Sequence, residues 1–239
     1  MGASPDQFDI IADLHRRGLL PAGGSIADLG CTQLRDAVPE DVRRFLSHFG
    51  KTPSDEEVAR LAAHNTFITE HMKAVGFSYR AFDVVVAPDC EWLDLNSDEV
   101  PTRWRGHFDL VLNFGTTEHV INQFNAFRVL HDLAKPKGLI YSLFLRGGYM
   151  DHGLLHYSDR FVDLLCQANR YETVWRTDQS IPGTECTWVV LRKTRDQPFA
   201  PPVDIQLGEE FPPMAERPKD LPQTGDWPQK KSLLARLFG

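Results

Sequence analysis

The residues with the clearest chemical potential are three histidines and a set of acids. His119 stands in Thr117-Glu118-His119-Val120, while His152 and His156 share the stretch Gly147-Gly148-Tyr149-Met150-Asp151-His152-Gly153-Leu154-Leu155-His156-Tyr157. A neutral imidazole takes a proton from a hydroxyl near neutral pH, and Asp151 is placed to orient one. Backbone hydrogen bonding by the loop histidines, and helix-start packing by His119, are the competing uses. His152, His156 and Asp151 are also metal-ligand types, but no further ligand stands at diagnostic spacing, so no metal is assigned. A second kind of chemistry is written in Ser25-Ile26-Ala27-Asp28-Leu29-Gly30-Cys31-Thr32-Gln33-Leu34. Here an apolar strand ends in an acid and then a glycine, a way to open a nucleotide site at the carboxyl edge of a parallel sheet.

These residues need a framework of alternating strands and helices, and the chain supplies one. Phe8, Ile11 and Leu14 space a helix over 5–20, stopped by Pro21 and Gly23-Gly24, and the first strand follows at 25–30. Residues 36–76 read as helical with no strand. Ser54 and Glu57 form a capping box, and Gly50 and Pro53 divide the region into two helices. About fifty residues then separate strands one and two, where a minimal strand–helix–strand unit needs ~30 in all, so 36–76 is an insert and a candidate lid. Strands are expected at 79–83, 91–96, 108–115 and 139–145. A helix carrying Val120, Phe124, Phe127 and Leu130 should follow the fourth, and a helix capped by Ser158 the fifth. Segments 172–175 and 187–191, joined through Pro182-Gly183, should close the sheet as an antiparallel pair. The result is an α/β sheet with helices on both faces.

Composition narrows the function. The chain has 239 residues, 42% hydrophobic and 25% charged, with a net charge of −7. One sizeable core is expected over 1–195. The acidic balance argues against nucleic acid as the partner and leaves a small molecule. Cys31, Cys90, Cys166 and Cys186 are scattered, which fits reduced thiols and neither a disulfide framework nor a zinc site. No leader pattern opens the chain and no apolar run approaches the ~20 residues of a membrane span, so a cytoplasmic protein is expected. Eight of the sixteen prolines fall in 196–239, which reads as a disordered tail. Its basic and apolar end, from Lys230 to Gly239, leaves docking on a partner open. A homo-oligomer is equally open.

Several of these stretches together resemble the class I methyltransferases that use S-adenosylmethionine. Asp28-Leu29-Gly30-Cys31-Thr32 is similar to the family's glycine-rich first motif. Asp83 ends strand two, and Asp94-Leu95 stands where the family touches adenine. Phe108-Asp109-Leu110-Val111-Leu112-Asn113-Phe114-Gly115 with Thr116-Thr117-Glu118-His119-Val120, then Leu133-Ala134-Lys135-Pro136-Lys137-Gly138, resembles the fourth-strand motif and the turn before strand five. The match covers roughly 22–194. It implies a Rossmann-like, mostly parallel seven-stranded sheet whose last strand is antiparallel, with S-adenosylmethionine as cofactor. The resemblance implies that Asp83 holds the ribose unless it is a solvated strand-end acid, that Asp94 and Leu95 hold adenine unless Asp94 only caps a turn, and that Asp28, Gly30, Cys31, Thr32 and Gln33 face the methionine end unless Asp28 only fixes the turn. Asn113, Phe114 and Gly115 complete the cofactor set, and His152, His156 and His119 are the candidate bases. Thr32 and Lys137 replace family glycines. The activity implied is methyl transfer to an oxygen or nitrogen of a small molecule such as a sugar or other hydroxylated metabolite. The alternative is a non-catalytic scaffold or binding protein of the same fold. A nicotinamide dehydrogenase would need Gly-x-Gly-x-x-Gly, and both later glycines are missing after Gly30.

Overall fold

Ser25–Leu29 (β2) is buried at every residue, the pattern of a strand covered on both faces. It is the third strand of a seven-stranded sheet of order β5-β4-β2-β6-β7-β9-β8. The others are Ser78–Asp83 (β4), Cys90–Trp92 (β5), Phe108–Phe114 (β6), Ala134–Gly148 (β7), Tyr171–Ile181 (β8) and Thr184–Lys193 (β9). The computed structural model describes residues 2–149, 152–181 and 183–207. Strands β5, β4, β2, β6 and β7 pair in parallel, and β9 runs antiparallel to both β7 and β8. The sheet expected from the resemblance is therefore present. Gly2–Ala3 (β1) and Gln33–Leu34 (β3) form a separate two-stranded ladder.

The registers align the strand ends. Leu29 lies opposite Phe82 on β4 and Asn113 on β6, so the chain leaves all three strands at one level of the carboxyl edge. At the other edge, Asp109 Oδ2 accepts from the amide and hydroxyl of Ser25 (both 2.8 Å), and Lys135 Nζ bonds its Oδ1 at 2.9 Å. These contacts fix the pairing of β2 with β6, because a one-residue slip would exchange the side chains of the two buried faces, putting Ile26 and Leu110 where the smaller Ala27 and Val111 pack.

One face is covered by Pro5–Arg16 (α1), Pro39–His48 (α2), Asp55–Leu61 (α3) and Ile68–Ala74 (α4). Phe8, Ile11, Phe45, Leu61 and Met72 pack there on Ile26, Tyr79 and Leu110. The other face carries Gln123–Leu133 (α5) and Asp159–Asn169 (α6), with Phe127, Leu130 and Val162 on Ala27, Leu29 and Phe82. The caps read from sequence form: Ser54 Oγ accepts from Glu57 N and Ser158 Oγ from Phe161 N, each at 3.2 Å.

The structure corrects several boundaries. The 36–76 region holds three helices, because Asn65 turns left-handed at φ 63° and Thr66 Oγ1 bonds back to Ala63 O at 2.7 Å, ending α3. Val120 lies outside α5, since Thr117–His119 is a single tight turn and Asn122 caps the helix by accepting from Asn125 N. The third edge strand stops at Trp92. β7 starts at Ala134, five residues early, with Lys137 left-handed at φ 68° where the family has glycine. The tail drawn from 196 is packed over its first residues. Phe199 and Ala200 are buried, His131 Nε2 bonds Gln197 O at 2.7 Å, and Pro202–Leu207 is helical (α7). Residues 208–239 lie outside the described residues.

Candidate functional site

The turn after β2 is built around Asp28, which strand alternation points to the α1–α4 face. Its Oδ2 accepts from the Tyr79 hydroxyl (2.6 Å) and from Thr32 N (3.2 Å). Its Oδ1 has no hydrogen-bond partner among the described residues, and neither does the buried Thr32 Oγ1. Full burial pushes the Asp28 carboxyl up to about 7 against the pull of these donors. Gly30 makes the turn at φ 97° and donates to Phe82 O at 2.9 Å. Cys31 N donates to Asp83 Oδ2 (2.9 Å), and Val84 N to Asp83 Oδ1 (2.7 Å). The acid ending β4 is thereby latched to the glycine turn while each oxygen keeps accepting capacity. Burial pushes the thiols of Cys31 and Cys90 up, so neither is an activated nucleophile. Gln33 lies apart, in the β1–β3 ladder.

A cavity of about 330 Å³ opens beside this turn, lined by Asp83, Leu93, Asp94, Leu95, Thr116 and His119 among others. No residue of 36–76 lines it. The side chain of Asp94 caps its own turn, accepting from Asn96 N (2.8 Å) and Ser97 Oγ (3.2 Å), and these bonds hold its carboxyl below the usual range. Leu95 O accepts from Asn125 Nδ2 at 2.9 Å. Asn113, Phe114 and Gly115 do not reach the cavity. Asn113 Oδ1 takes the amides of Thr116 and Thr117, Phe114 packs on the Tyr141 ring 4.9 Å away, and Gly115 turns at φ 81°. Thr116 reaches it instead and bonds Leu29 O, tying the ends of β6 and β2 together. Its only sequence signal is its place after the glycine.

The histidines divide. His119 is on the cavity rim, its ring 4.9 Å from that of His152, which in turn stacks on Tyr149 at 4.4 Å. Partial burial lowers both imidazoles below their ordinary range, keeping them neutral and proton-accepting at pH 7. His156 is held by Gly148 O through Nε2 at 3.0 Å. Asp151 lies outside the described residues. Sequence reasoning passed over Glu118. It is 2% exposed, its carboxyl is raised to about 7 by burial, and its Oε2 has no hydrogen-bond partner among the described residues. Its carbonyl accepts from Leu154 N (2.8 Å) and Leu155 N (3.1 Å), binding the loop that carries His152 to the β6 end.

A second cavity, about 360 Å³, lies between α5, α6 and α7 against Phe124, Phe161, Leu165, Phe199 and Ile205. No acid, thiol or imidazole lines it.

The strand order, with β9 antiparallel between β7 and β8, decides the architecture. The fold is the Rossmann-like fold of the class I methyltransferases. Among solved structures the chain is similar to a 1,6-didemethyltoxoflavin-N1-methyltransferase of Burkholderia thailandensis with bound 1,6-didemethyltoxoflavin and S-adenosylhomocysteine: 15% identity over 80% of this chain and 78% of that one, TM-score 0.49. It is similar to a SAM dependent methyltransferase from Aquifex aeolicus at 13% identity, over 79% of this chain and 98% of that one, TM-score 0.42. The [4+2]-cyclase SpnF matches to a like degree, 13% identity over 80% and 81%, TM-score 0.45. No protein-family model and no curated protein matches the sequence. The cavity lies outside the carboxyl ends of the strands, where open α/β sheets bind their ligands. Among the described residues no helix is long and apolar enough to cross a membrane.

Proposed function

We propose that the chain transfers a methyl group from S-adenosylmethionine to an oxygen or nitrogen of a small molecule. The observation that carries this reading is the cavity of about 330 Å³ with Asp83 at the end of β4, latched to the Gly30 turn. The donor set suits the ligand. The Asp83 carboxylate has lone pairs left for two adjacent ribose hydroxyls, and Leu93 and Leu95 supply apolar walls for a base. Asp28 Oδ1 and Thr32 Oγ1, buried and without a partner among the described residues, stand in the adjoining turn and do not line the cavity.

When bound, S-adenosylmethionine supplies a methyl carbon already activated by a sulfonium, and the electron pair of the breaking C–S bond stays on sulfur. The protein has to hold the acceptor in line and take its proton. His119 on the rim, with His152 against its ring, is placed to accept that proton. Glu118 behind them can steady the imidazolium that forms. A hydroxylated acceptor fits this rim. It would stand on the side of His119, whose ring meets that of His152.

Calorimetric titration with S-adenosylhomocysteine tests the reading. Wild-type protein should bind it, and Asp83→Ala should weaken binding about 10- to 100-fold through loss of two charge-assisted bonds. A well-folded wild type that takes up no S-adenosylhomocysteine would sink the proposal.

A further inference from the structure

The rim of the cavity holds a feature that proton transfer alone does not require. The ligating atoms of Glu118, His119 and His152 all lie within 4.8 Å of one another. Glu118 and His119 come from the tight turn after β6, and His152 from the loop after β7, which Glu118 O fastens through the amides of Leu154 and Leu155. A carboxylate that is 2% exposed with one oxygen lacking a partner among the described residues is costly unless something cationic or hydrogen-bonding meets it. Its burial is built in. A Cβ on Gly153 would stand 2.9 Å from Glu118 Cγ, and one on Gly115 2.9 Å from Glu118 Oε1, so both neighbours leave room for this side chain and nothing more.

We infer that Glu118, His119 and His152 form a binding site for a divalent transition-metal ion at the mouth of the cavity. Two imidazoles and one carboxylate are a donor set suited to zinc, cobalt, nickel or iron(II), and three protein ligands leave positions open for an oxygen of the acceptor. Donor atoms around such an ion stand about 3.0–3.4 Å apart for metal–ligand bonds near 2.1 Å. Since the donor atoms already lie within 4.8 Å of one another, reaching that spacing asks for at most about two ångströms of closing, which the loop-borne His152 can supply. Because His119 also lines the cavity, a bound ion would meet an acceptor hydroxyl there and lower its pKa, replacing the two imidazoles as the activating group, since a ligated imidazole has no lone pair left for a proton. That use rests on the methyl-transfer reading; the site itself does not.

The test is titration of chelator-treated, full-length protein with Zn²⁺ by calorimetry and with Co²⁺ by visible absorption. One equivalent should bind, with ligand-field bands that mark nitrogen and oxygen donors. His152→Ala, on an exposed loop, and Glu118→Gln should each weaken Zn²⁺ binding at least about tenfold. Far-UV circular dichroism and S-adenosylhomocysteine binding should stay unchanged in His152→Ala. Absence of one-to-one binding, or binding that ignores both substitutions, overturns the site. Metal binding failing while S-adenosylhomocysteine still binds overturns this inference alone. Zn²⁺ binding that needs His152, in protein that takes up no S-adenosylhomocysteine, upholds the site and removes the methyl-transfer reading.

Discussion

Two neighbouring strand ends carry a buried acid, and they hold it differently. At the end of β2, Asp28 is braced by Tyr79 from the next strand and by Thr32 in its own turn. At the end of β6, Glu118 is enclosed by Gly115 and by a loop more than thirty residues further on. Burial raises both carboxyls to about 7, and each leaves one oxygen without a partner among the described residues. The first arrangement is made by strand register and persists as long as the sheet does. The second depends on how a loop settles, so the adjustable half of the site is the half that would meet the acceptor.

The largest effect that would break this comparison is in pH dependence. A raised carboxyl means that the folded protein keeps a proton the unfolded chain has released. Its stabilising effect is whole below the ordinary pKa near 3.8 and is lost as pH rises to about 7. Buried histidines such as His131 work in the opposite direction over the same range, so the readout is the difference between wild type and Asp28→Asn, which should move against the wild type by up to ~4 kcal/mol between pH 4 and 8 in denaturant titrations. Parallel curves for the two proteins would contradict the assignment. Next in size is Gly115→Val. At φ 81° with a Cβ 2.9 Å from Glu118 Oε1, it should cost on the order of 3 kcal/mol in chemical denaturation. A neutral outcome would mean that the β6 turn is as adaptable as the loop. The smallest is Thr116→Val, which removes the hydroxyl bridging the two strand ends through Leu29 O and should cost about 1 kcal/mol. If the thermal midpoint is unchanged, the two ends are not coupled by that bond.

The same contrast explains what could be read from the chain. Asp28, Gly30 and Asp83 were legible because a buried strand, its turn and an acid at the next strand's end are all local patterns, and parallel pairing puts local patterns side by side. Glu118 was not, since an acid before a histidine at a helix start is ordinary; its burial comes from Gly153 and the loop amides, contacts between distant residues. The break after α3 was missed because Asn65 adopts a left-handed turn without the glycine that usually announces one. The early start of β7 was missed for the same reason, with Lys137 in the left-handed region. Asn113 has the small polar character of a ligand contact, yet the two amides beside it claim its side chain. Phe199 looked like part of a proline-rich tail because nothing in its own neighbourhood shows the hydrophobic floor it rests on.

The seam between β2 and β6, sealed at Ser25 and Asp109, joins residues 84 positions apart. During synthesis at 5–20 residues per second, β2 emerges roughly four to seventeen seconds before its partner exists. Through that interval a strand destined to be buried at every residue has the edge that β6 will cover unpaired, even after β4 has arrived on the other side. β2 is therefore a segment in need of protection by the folding machinery of the cell, and sequence changes that slow the arrival of β6 would show as lost yield before they show as lost activity.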